Sequence, residues 1–446
     1  MAAGRGILQM KSWFIIGVLL WAGQLHAAAP SWRLDVRHGI EGGEEQFQKT
    51  GLWQEPLPWQ GPVDLQDELN RGDYRFEIIR QADGAILFSQ SYSSLFADWS
   101  LSSDASHNER YFEESLRFPA PEVPARLQIF RRQLAKPGQP FQAVWQLDLP
   151  LQAEPAPMPA ATDSIRLLQA SETAGQAYGL VFLAEGFQAD EAEAFFQAAT
   201  ELSQALFRYA PFDRLRPYMQ VHAVMTPSND SGIGFNEAGQ PLDTRFAVNP
   251  NALGMPRYAL STEVHAIRNA AMVVPYHSIV ILTNSHEYHG SGIFQTYAIA
   301  PAFHPRREFL VLHELGHSLA GLADEYFHDT PGYAASAGII EPYQPNITSK
   351  AGLDTLKWQQ LVSEGTPIPT PWNQQAFMQN RQMSTLTAEP YQSVVGAFQG
   401  ANYSAGHYYR PALACIMLLD MGDNHFCPVC QQAIVEQIES QLSASP

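Results

Sequence analysis

Basic residues and long apolar runs are both scarce in this sequence. Its 446 residues include 27 Lys and Arg against 45 Asp and Glu, which gives a net charge of −18. A chain this acidic is repelled by nucleic acid and by anionic lipid surfaces, so neither is an expected partner. Beyond residue 30, no segment approaches the ~20 apolar residues that a transmembrane helix needs. We therefore expect a globular protein without a membrane span once its N-terminal segment is removed.

Cysteine is also rare, and Cys415, Cys427 and Cys430 all lie near the C-terminal end. In an oxidising compartment this odd number predicts one disulfide and one free thiol, although the sequence does not say which two residues pair. The alternative is a structural zinc site that the three cysteines form with His425, since cysteine and histidine are the usual ligands of such sites. Both alternatives stay open at this point.

The N-terminal segment has the order of a secretory signal peptide. Residues 11–29 read KSWFIIGVLLWAGQLHAAA, in which a lysine precedes an apolar run and small residues follow it. The apolar run, residues 13–22, is about half as long as a membrane-spanning helix, so cleavage is favoured over anchoring. We predict a signal peptide over residues 1–27 and a secreted or periplasmic protein.

Two regions with different patterns follow. Residues 28–150 contain short alternating segments such as RLDVRH, YRFEIIR and RLQIFRR, which predict an all-β, sandwich-like domain. Residues 151–164, LQAEPAPMPAATDS, are rich in proline and small residues and form the predicted linker. In residues 165–446, apolar strand-like runs alternate with helical patterns, which indicates an α/β (α+β) domain. Two domains also suit a chain of this length.

The segment REFLVLHELGHSLAGL, which starts at Arg307, carries the candidate chemistry. Its apolar positions repeat with helical spacing, so His313 and His317 lie one turn apart on the same face of a helix. Two imidazoles in that arrangement bind one zinc ion in the H-E-x-x-H motif. Glu314 lies beside them and is the predicted general base for the attacking water.

A catalytic zinc site needs a third protein ligand. In the extended H-E-x-x-H-x-x-G-x-x-H pattern of the metzincins, glycine is the eighth residue and the last histidine the eleventh. Here Gly321 is ninth and Asp324 twelfth, so the interval from glycine to ligand is kept. Because glycine can turn the chain back at a helix end, we predict Asp324 as the third ligand. Glu325 and a distant glutamate remain alternatives.

Three further features are candidates for the site. Met417, in the segment ACIMLLDM, is the candidate methionine beneath the metal. The glycine loop SHEYHGSG, residues 285–292, is a candidate edge of a substrate cleft, because glycine allows close approach of another backbone. Tyr408 and Tyr409 are candidate hydrogen-bond donors to a developing oxyanion.

These motifs together resemble one family. HELGHSLAGLADEY, VILTNS with the glycine loop, KWQQLVSEGTPIPTP, VGAFQGANY and the CIM…FCPVC tail are similar to segments of the zinc metallopeptidases typified by bacterial IgA peptidase. The resemblance covers residues 165–440, and the region before it is similar to the β domain that often precedes this catalytic unit. It implies a metzincin-like catalytic domain, one zinc ion and peptide-bond hydrolysis. It implies His313 and His317 as ligands and Glu314 as the base, and it supports Asp324.

The sequence therefore predicts an exported zinc-dependent endopeptidase that acts on a protein or peptide substrate. His289 departs from the family pattern, because it stands in YHGSG where YGGSG is expected, and we expect it to narrow the cleft or alter specificity. The alternatives are a non-catalytic binding protein with a relic zinc site and a zinc amidase that acts on cell-wall peptides. The intact Glu314 disfavours the relic site.

Overall fold

The computed structural model describes residues 29–102, 104–136, 138–158, 164–173, 177–327, 340–380, 383–387, 389–420 and 425–442. The predicted signal peptide, residues 1–27, lies outside the described residues. Among the helices that are described, none is long and apolar enough to cross a membrane.

The N-terminal region consists of two four-stranded sheets and a short helix. Its elements are β1 (Pro30–Glu41), β2 (Glu44–Pro58), β3 (Tyr74–Arg80), β4 (Ile86–Tyr92), α1 (Leu95–Ser100), β5 (Tyr111–Pro119), β6 (Ala125–Arg132), β7 (Phe141–Asp148) and β8 (Glu154–Pro155). The strand order is β5–β1–β2–β8 in one sheet and β4–β3–β6–β7 in the other.

The two sheets face each other across a shared apolar core. Along most of β5 every second side chain is buried, as expected for a strand with one face on a core. Phe118 of this strand packs against Trp32 of its own sheet and Phe76 of the other sheet, with ring centroids 6.3 and 6.2 Å apart. The N-terminal region is therefore a β sandwich, the arrangement that its alternating segments predict.

The region that follows is built around a six-stranded sheet. Its elements are β9 (Ser164–Gln169), β10 (Tyr178–Glu185), α2 (Ala192–Leu206), α3 (Phe212–Leu215), β11 (Met219–Met225), α4 (Val264–Ala271), β12 (Ser278–Thr283), β13 (Ser291–Ile293), β14 (Tyr297–Pro301) and α5 (Arg307–Ala320). The strand order is β13–β14–β12–β10–β11–β9, with the four central strands parallel and both edge strands antiparallel to their neighbours. All residues of β10 and β12 are buried, which is typical of parallel strands covered on both faces.

The C-terminal region adds a small sheet and a last helix. Its elements are β15 (Thr348–Ser349), α6 (Gln374–Asn380), α7 (Met383–Thr387), β16 (Phe398–Ala401), β17 (Ser404–Arg410) and α8 (Pro428–Ser440). Strands β15 and β16 both pair antiparallel with β17. Helix α8 packs against α5, so the C-terminal end of the chain returns to the HELGH helix.

The side chains of β10 alternate between two apolar cores. Leu180 and Phe182 point to the core that α2, α5 and α8 form on one face of the central sheet. Val181 and Leu183 point to the opposite face, where they join the core of the β sandwich and α4. The sandwich therefore covers one face of the central sheet, and the HELGH helix lies on the other.

The predicted linker spans residues 151–164, and its first part is paired with the sandwich. Strand β8 pairs in parallel with β2, and the Ala156 amide donates a hydrogen bond to the Gln54 carbonyl at 2.9 Å. Residues 159–163 lie outside the described residues. The domain bounds stay a prediction, but the shared core shows that the two regions pack against each other.

Arg117 on β5 joins the sandwich to the central sheet. It forms an ion pair with Glu55 at 2.8 Å and donates a hydrogen bond to the Tyr276 carbonyl at 2.9 Å. Its guanidinium carbon also lies 3.9 Å from the centroid of the Tyr276 ring. Because Glu55 is buried, its negative charge depends on Arg117 and on Arg33, which lies 3.7 Å away.

We expect Arg117→Ala to lower the free energy of unfolding by roughly 3 kcal/mol, because it removes the closer of the two cations that pair with the buried Glu55 carboxylate. Urea denaturation followed by circular dichroism measures the change. Arg126→Ala is the matched control, because its ion pair with Asp148 is exposed and should contribute almost nothing. Equal effects of the two substitutions would contradict the role of Arg117 at this interface.

Candidate metal centre

Helix α5 places two histidines side by side above the central sheet. Phe309, Leu312 and Leu315 pack into the apolar core and fix which face of the helix is buried. His313 and His317 are one turn apart, and their Nε2 atoms are separated by 3.2 Å. The helix predicted from Arg307 is thus present, and it brings both imidazoles to one point.

Gly321 ends this helix and reverses the chain. Its φ of 62° lies in the left-handed region, which favours glycine. The Gly321 amide donates to the His317 carbonyl at 2.9 Å, and the Leu322 amide donates to the Gly316 carbonyl at 3.1 Å. The bond from Gly321 is the 5→1 bond of the αL capping motif, and the bond from Leu322 satisfies a second carbonyl at the helix end. Together they direct the following residues back toward the histidines.

Asp324 completes a cluster of three ligand atoms. Its Oδ1 atom lies 3.1 Å from His313 Nε2 and 3.3 Å from His317 Nε2. Four ligands that are about 2.0 Å from a tetrahedral zinc ion are separated by roughly 3.3 Å from one another. The three separations therefore fit three corners of such a site, and the fourth position is left for water or substrate.

The hydrogen bonds behind the imidazoles determine which nitrogens face the cluster. His313 Nδ1 lies 3.0 Å from the Ile416 carbonyl, and His317 Nδ1 lies 2.7 Å from the Leu322 carbonyl. A carbonyl only accepts, so each Nδ1 carries a proton and each Nε2 presents a lone pair. Among the described residues, no hydrogen bond reaches the buried Oδ1 of Asp324. Three acceptors thus converge, and only a cation or a proton can hold them together.

The charges of the cluster agree with this interpretation. Burial opposes a positive charge on His317, but Asp324 outweighs burial and raises the pKa of this imidazole to about 9. Burial by itself would raise the pKa of Asp324, but His317 and His313 hold it well below its usual range. The site is arranged to bind positive charge, and its two nitrogens and one oxygen suit zinc.

Glu314 lies beside this cluster, against the glycine loop. A Cβ atom at Gly290 would lie 2.4 Å from Glu314 Oε1, and one at Gly292 would lie 2.3 Å from the Glu314 carbonyl oxygen. Both glycines therefore make room for α5. The sequence suggested instead that glycine is needed here so that a substrate can approach the loop. Burial raises the pKa of Glu314, although His313 and His317 act in the opposite direction.

Two tyrosines near Asp324 were not singled out from the sequence. The Tyr403 hydroxyl donates to Asp324 Oδ2 at 2.5 Å, and the Tyr326 hydroxyl lies 3.1 Å from the Tyr403 hydroxyl. Tyr403 and Asn402 form the two-residue turn between β16 and β17, with φ values of 60° and 48°. The Asn402 amide also donates to the Asp324 carbonyl at 3.1 Å, so the turn holds the ligand loop in place.

The predicted tyrosines lie elsewhere. Tyr409 is buried in the core, Tyr408 is part of the β17 surface, and neither lines the cavity beside the cluster.

The backbone of Tyr403 has a positive φ, which is unusual for an aromatic residue, so contacts with its surroundings hold it in this conformation. The Asn-Tyr pair between two strand-like runs was a signal for a turn, but not for where that turn would dock.

His289 does not narrow the cleft. It is 1% exposed, and its Nε2 lies 2.8 Å from the Thr283 hydroxyl inside the core. Burial lowers its pKa to about 4, so it is a neutral core histidine. The expectation that His289 narrows the cleft is therefore wrong, and an effect of this residue on specificity stays a prediction.

Met417 lies beneath the helix at Gly316. A Cβ atom at Gly316 would lie 2.6 Å from Met417 Sδ, so glycine is needed for this close packing. The Glu325 amide donates to the Met417 carbonyl at 2.9 Å, and the adjacent Ile416 carbonyl accepts from His313. The segment around Met417 thus supports both His313 and the loop that carries Asp324.

Glu325 points away from the histidines. Its carboxylate accepts hydrogen bonds from Asn346 at 3.0 Å and from Cys430 at 3.3 Å. Because successive side chains of an extended segment point to opposite sides, Asp324 and Glu325 face different clusters. Of Asp324 and Glu325, the structure brings Asp324 to the histidines.

The cluster opens into a cavity of ≈ 1020 Å³. This volume is at the upper end of the ~300–1,000 Å³ that is typical of ligand pockets. Its walls include Asp73, Ser93 and Asp98, so the β sandwich forms part of the cleft. Asp98 accepts a hydrogen bond from Tyr258 at 2.8 Å, and burial raises its pKa to about 6.

Comparison with known families agrees with this architecture. A family model described as IgA Peptidase M64 matches residues 165–384 and 378–438. A second model, described as Peptidase M64 N-terminus, matches residues 26–140, which include most of the β sandwich. A comparison with curated proteins finds no match.

We expect His317→Ala and Asp324→Ala each to lower the zinc content by one ion per chain relative to the unchanged protein, because each removes one of three convergent ligands. Elemental analysis after dialysis measures the content. His286→Ala is the control, since His286 is an exposed histidine outside the cluster. An unchanged zinc content in Asp324→Ala would show that another residue is the third ligand.

Proposed function

We propose, from the premise that this chain belongs to the IgA peptidase M64 family, that it is an exported zinc-dependent endopeptidase. The family is one of peptidases, so hydrolysis of peptide bonds is the reaction that the premise supports. The observation that carries the finer proposal is the cluster of His313, His317 and Asp324 with Glu314 beside it. Export is proposed from the signal-like segment at residues 11–29.

The ligand cluster supports zinc in particular. Two imidazole nitrogens and one carboxylate oxygen, with a fourth position open to a cavity, form the donor set of a catalytic zinc site. When bound there, zinc would act as a Lewis acid toward a peptide carbonyl and lower the pKa of a coordinated water. The Tyr403 hydroxyl fixes the Asp324 carboxylate, and the backbone carbonyls fix the two imidazoles.

Glu314 supplies the proton transfers that hydrolysis requires. Its carboxylate removes a proton from the attacking water and then delivers a proton to the leaving amine. Burial raises its pKa, which moves the group toward the range where it can exchange protons near neutral pH. Gly290 leaves the space that this carboxylate occupies, so its position is defined by the loop as well as by the helix.

The cleft supports a polypeptide substrate. Its walls come from the β sandwich, the glycine loop and the turn between β16 and β17, so it is larger than a pocket for one residue. Such a cleft can hold residues on both sides of the bond to be cleaved, as an endopeptidase requires. The proposal names peptide bonds and not immunoglobulin A, because a family description does not assign a substrate.

We expect Glu314→Gln to retain its zinc and to lose roughly 10²–10⁴-fold in peptidase activity, because the amide keeps the shape and cannot accept the proton. The activity is measured on a peptide library by mass spectrometry of new termini, with zinc content determined in parallel. Glu287→Gln is the control, since Glu287 is an exposed glutamate of the glycine loop.

Full activity of Glu314→Gln would refute the proposed base. Cleavage of cell-wall peptides without cleavage of any library peptide would favour an amidase. A zinc-loaded chain that cleaves neither substrate would favour a binding protein.

A further inference from the structure

A second group of metal-ligand side chains lies behind the first. Cys415, Cys427 and Cys430 each place a sulfur, and Glu325 places a carboxylate oxygen, within 4.8 Å of all the others. The four residues are at most 1% exposed. None of them lines the cavity, and the proposed hydrolysis does not use them.

We propose that these four residues form a structural site for zinc, separate from the histidine cluster. Zinc–sulfur distances of about 2.3 Å in a tetrahedral site place two sulfurs roughly 3.8 Å apart. The Sγ atoms of Cys415 and Cys430 are 3.7 Å apart, and Cys430 Sγ is 3.3 Å from Glu325 Oε1. The four groups supply the full coordination of a closed structural site, so no position is left for water.

A buried carboxylate needs a cation. Among the described residues, no hydrogen bond reaches Glu325 Oε2, although the residue is fully buried. An unpaired buried charge is strongly destabilising, so buried carboxylates are usually neutral, paired or bound to a metal. No Lys or Arg nitrogen lies within ion-pair distance of Glu325 in the described part of the chain. A metal ion at the cluster would satisfy this carboxylate.

The surroundings also favour anionic sulfur. Cys427 is the N-cap of the 13-residue helix α8, and Cys430 lies in its first turn, where the helix dipole stabilises negative charge. Arg410 is fully buried and close enough for its charge to act on both Glu325 and Cys415. This guanidinium would partly offset the net negative charge of three thiolates and one carboxylate around a divalent ion.

A disulfide explains fewer of these observations. The two sulfurs at 3.7 Å are far beyond the ~2.0 Å of a disulfide bond, so pairing would require movement of the backbone or side chains. One disulfide would leave the third cysteine as a buried thiol, and it would leave the buried Glu325 Oε2 without a hydrogen bond from the described residues. His425, the fourth ligand considered from the sequence, is exposed and is not part of the cluster.

Cobalt substitution tests the site, because thiolate ligands give cobalt a near-ultraviolet charge-transfer band that nitrogen and oxygen ligands do not. The full chain is purified without added reductant, freed of metal and titrated with cobalt. We expect the band in the unchanged protein and in His317→Ala, and its loss in Cys427→Ser and Cys430→Ser. Zinc content should be two ions per chain in the unchanged protein and one in His317→Ala.

A thiol count gives a second measurement that needs no variant. The unchanged protein is denatured in chelator, and three thiols per chain are expected. One thiol per chain without a cobalt–sulfur band would overturn the site in favour of a disulfide, and three thiols without the band would overturn it as well. If the histidine cluster did not bind zinc, His317→Ala would lose no zinc. That result is distinct from the two outcomes that overturn the cysteine site.

Discussion

The convergence of three hydrogen-bond acceptors on one point is the constraint around which the catalytic half of this protein is arranged. His313 Nε2, His317 Nε2 and Asp324 Oδ1 lie within 3.3 Å of each other. Lone pairs at that distance repel one another unless a cation lies between them. The fold holds them together from outside, through the helix, through carbonyls that orient both rings, and through a tyrosine that fixes the carboxylate. The Ile416 carbonyl and Tyr403 come from segments that are distant from the helix in the chain.

The helix and the cluster beside it were predictable because their determinants are local. Helical spacing puts two histidines on one face, and a glycine just after the helix can adopt the left-handed conformation that reverses the chain. The kept interval from Gly321 to the next acidic residue then predicted Asp324, and the structure brings this residue to the histidines. The alternation of short segments likewise predicted the β sandwich, since period-2 burial is a property of each strand alone.

The rest depends on contacts between distant segments. Tyr403 reaches Asp324 only because the turn between β16 and β17 docks on the ligand loop, 79 residues along the chain. His289 is a core residue because the segment before β13 folds back on Thr283, and its sequence context in a polar, glycine-rich loop suggested the surface instead. The sandwich contributes Asp98 to the cleft wall, where this residue accepts a hydrogen bond from Tyr258, 160 residues along the chain. Nothing in a local pattern encodes these placements.

The two clusters of potential ligands are joined by a single peptide bond. Asp324 faces the histidines and Glu325 faces the cysteines, so anything that fixes one residue restricts the other. The Cys415–Met417 turn forms a second connection, because Cys415 lies in one cluster while the Ile416 carbonyl orients His313 in the other. A metal ion held by the cysteines and Glu325 would therefore tie α8, this turn and the ligand loop together. Rigid support of this kind is what a metal site needs, since its ligands must keep their geometry when one position is open to substrate. The histidine cluster is open to the cleft on one side, so the cleft cannot hold its residues in place there. A structural ion directly behind the cluster would hold them from the other side.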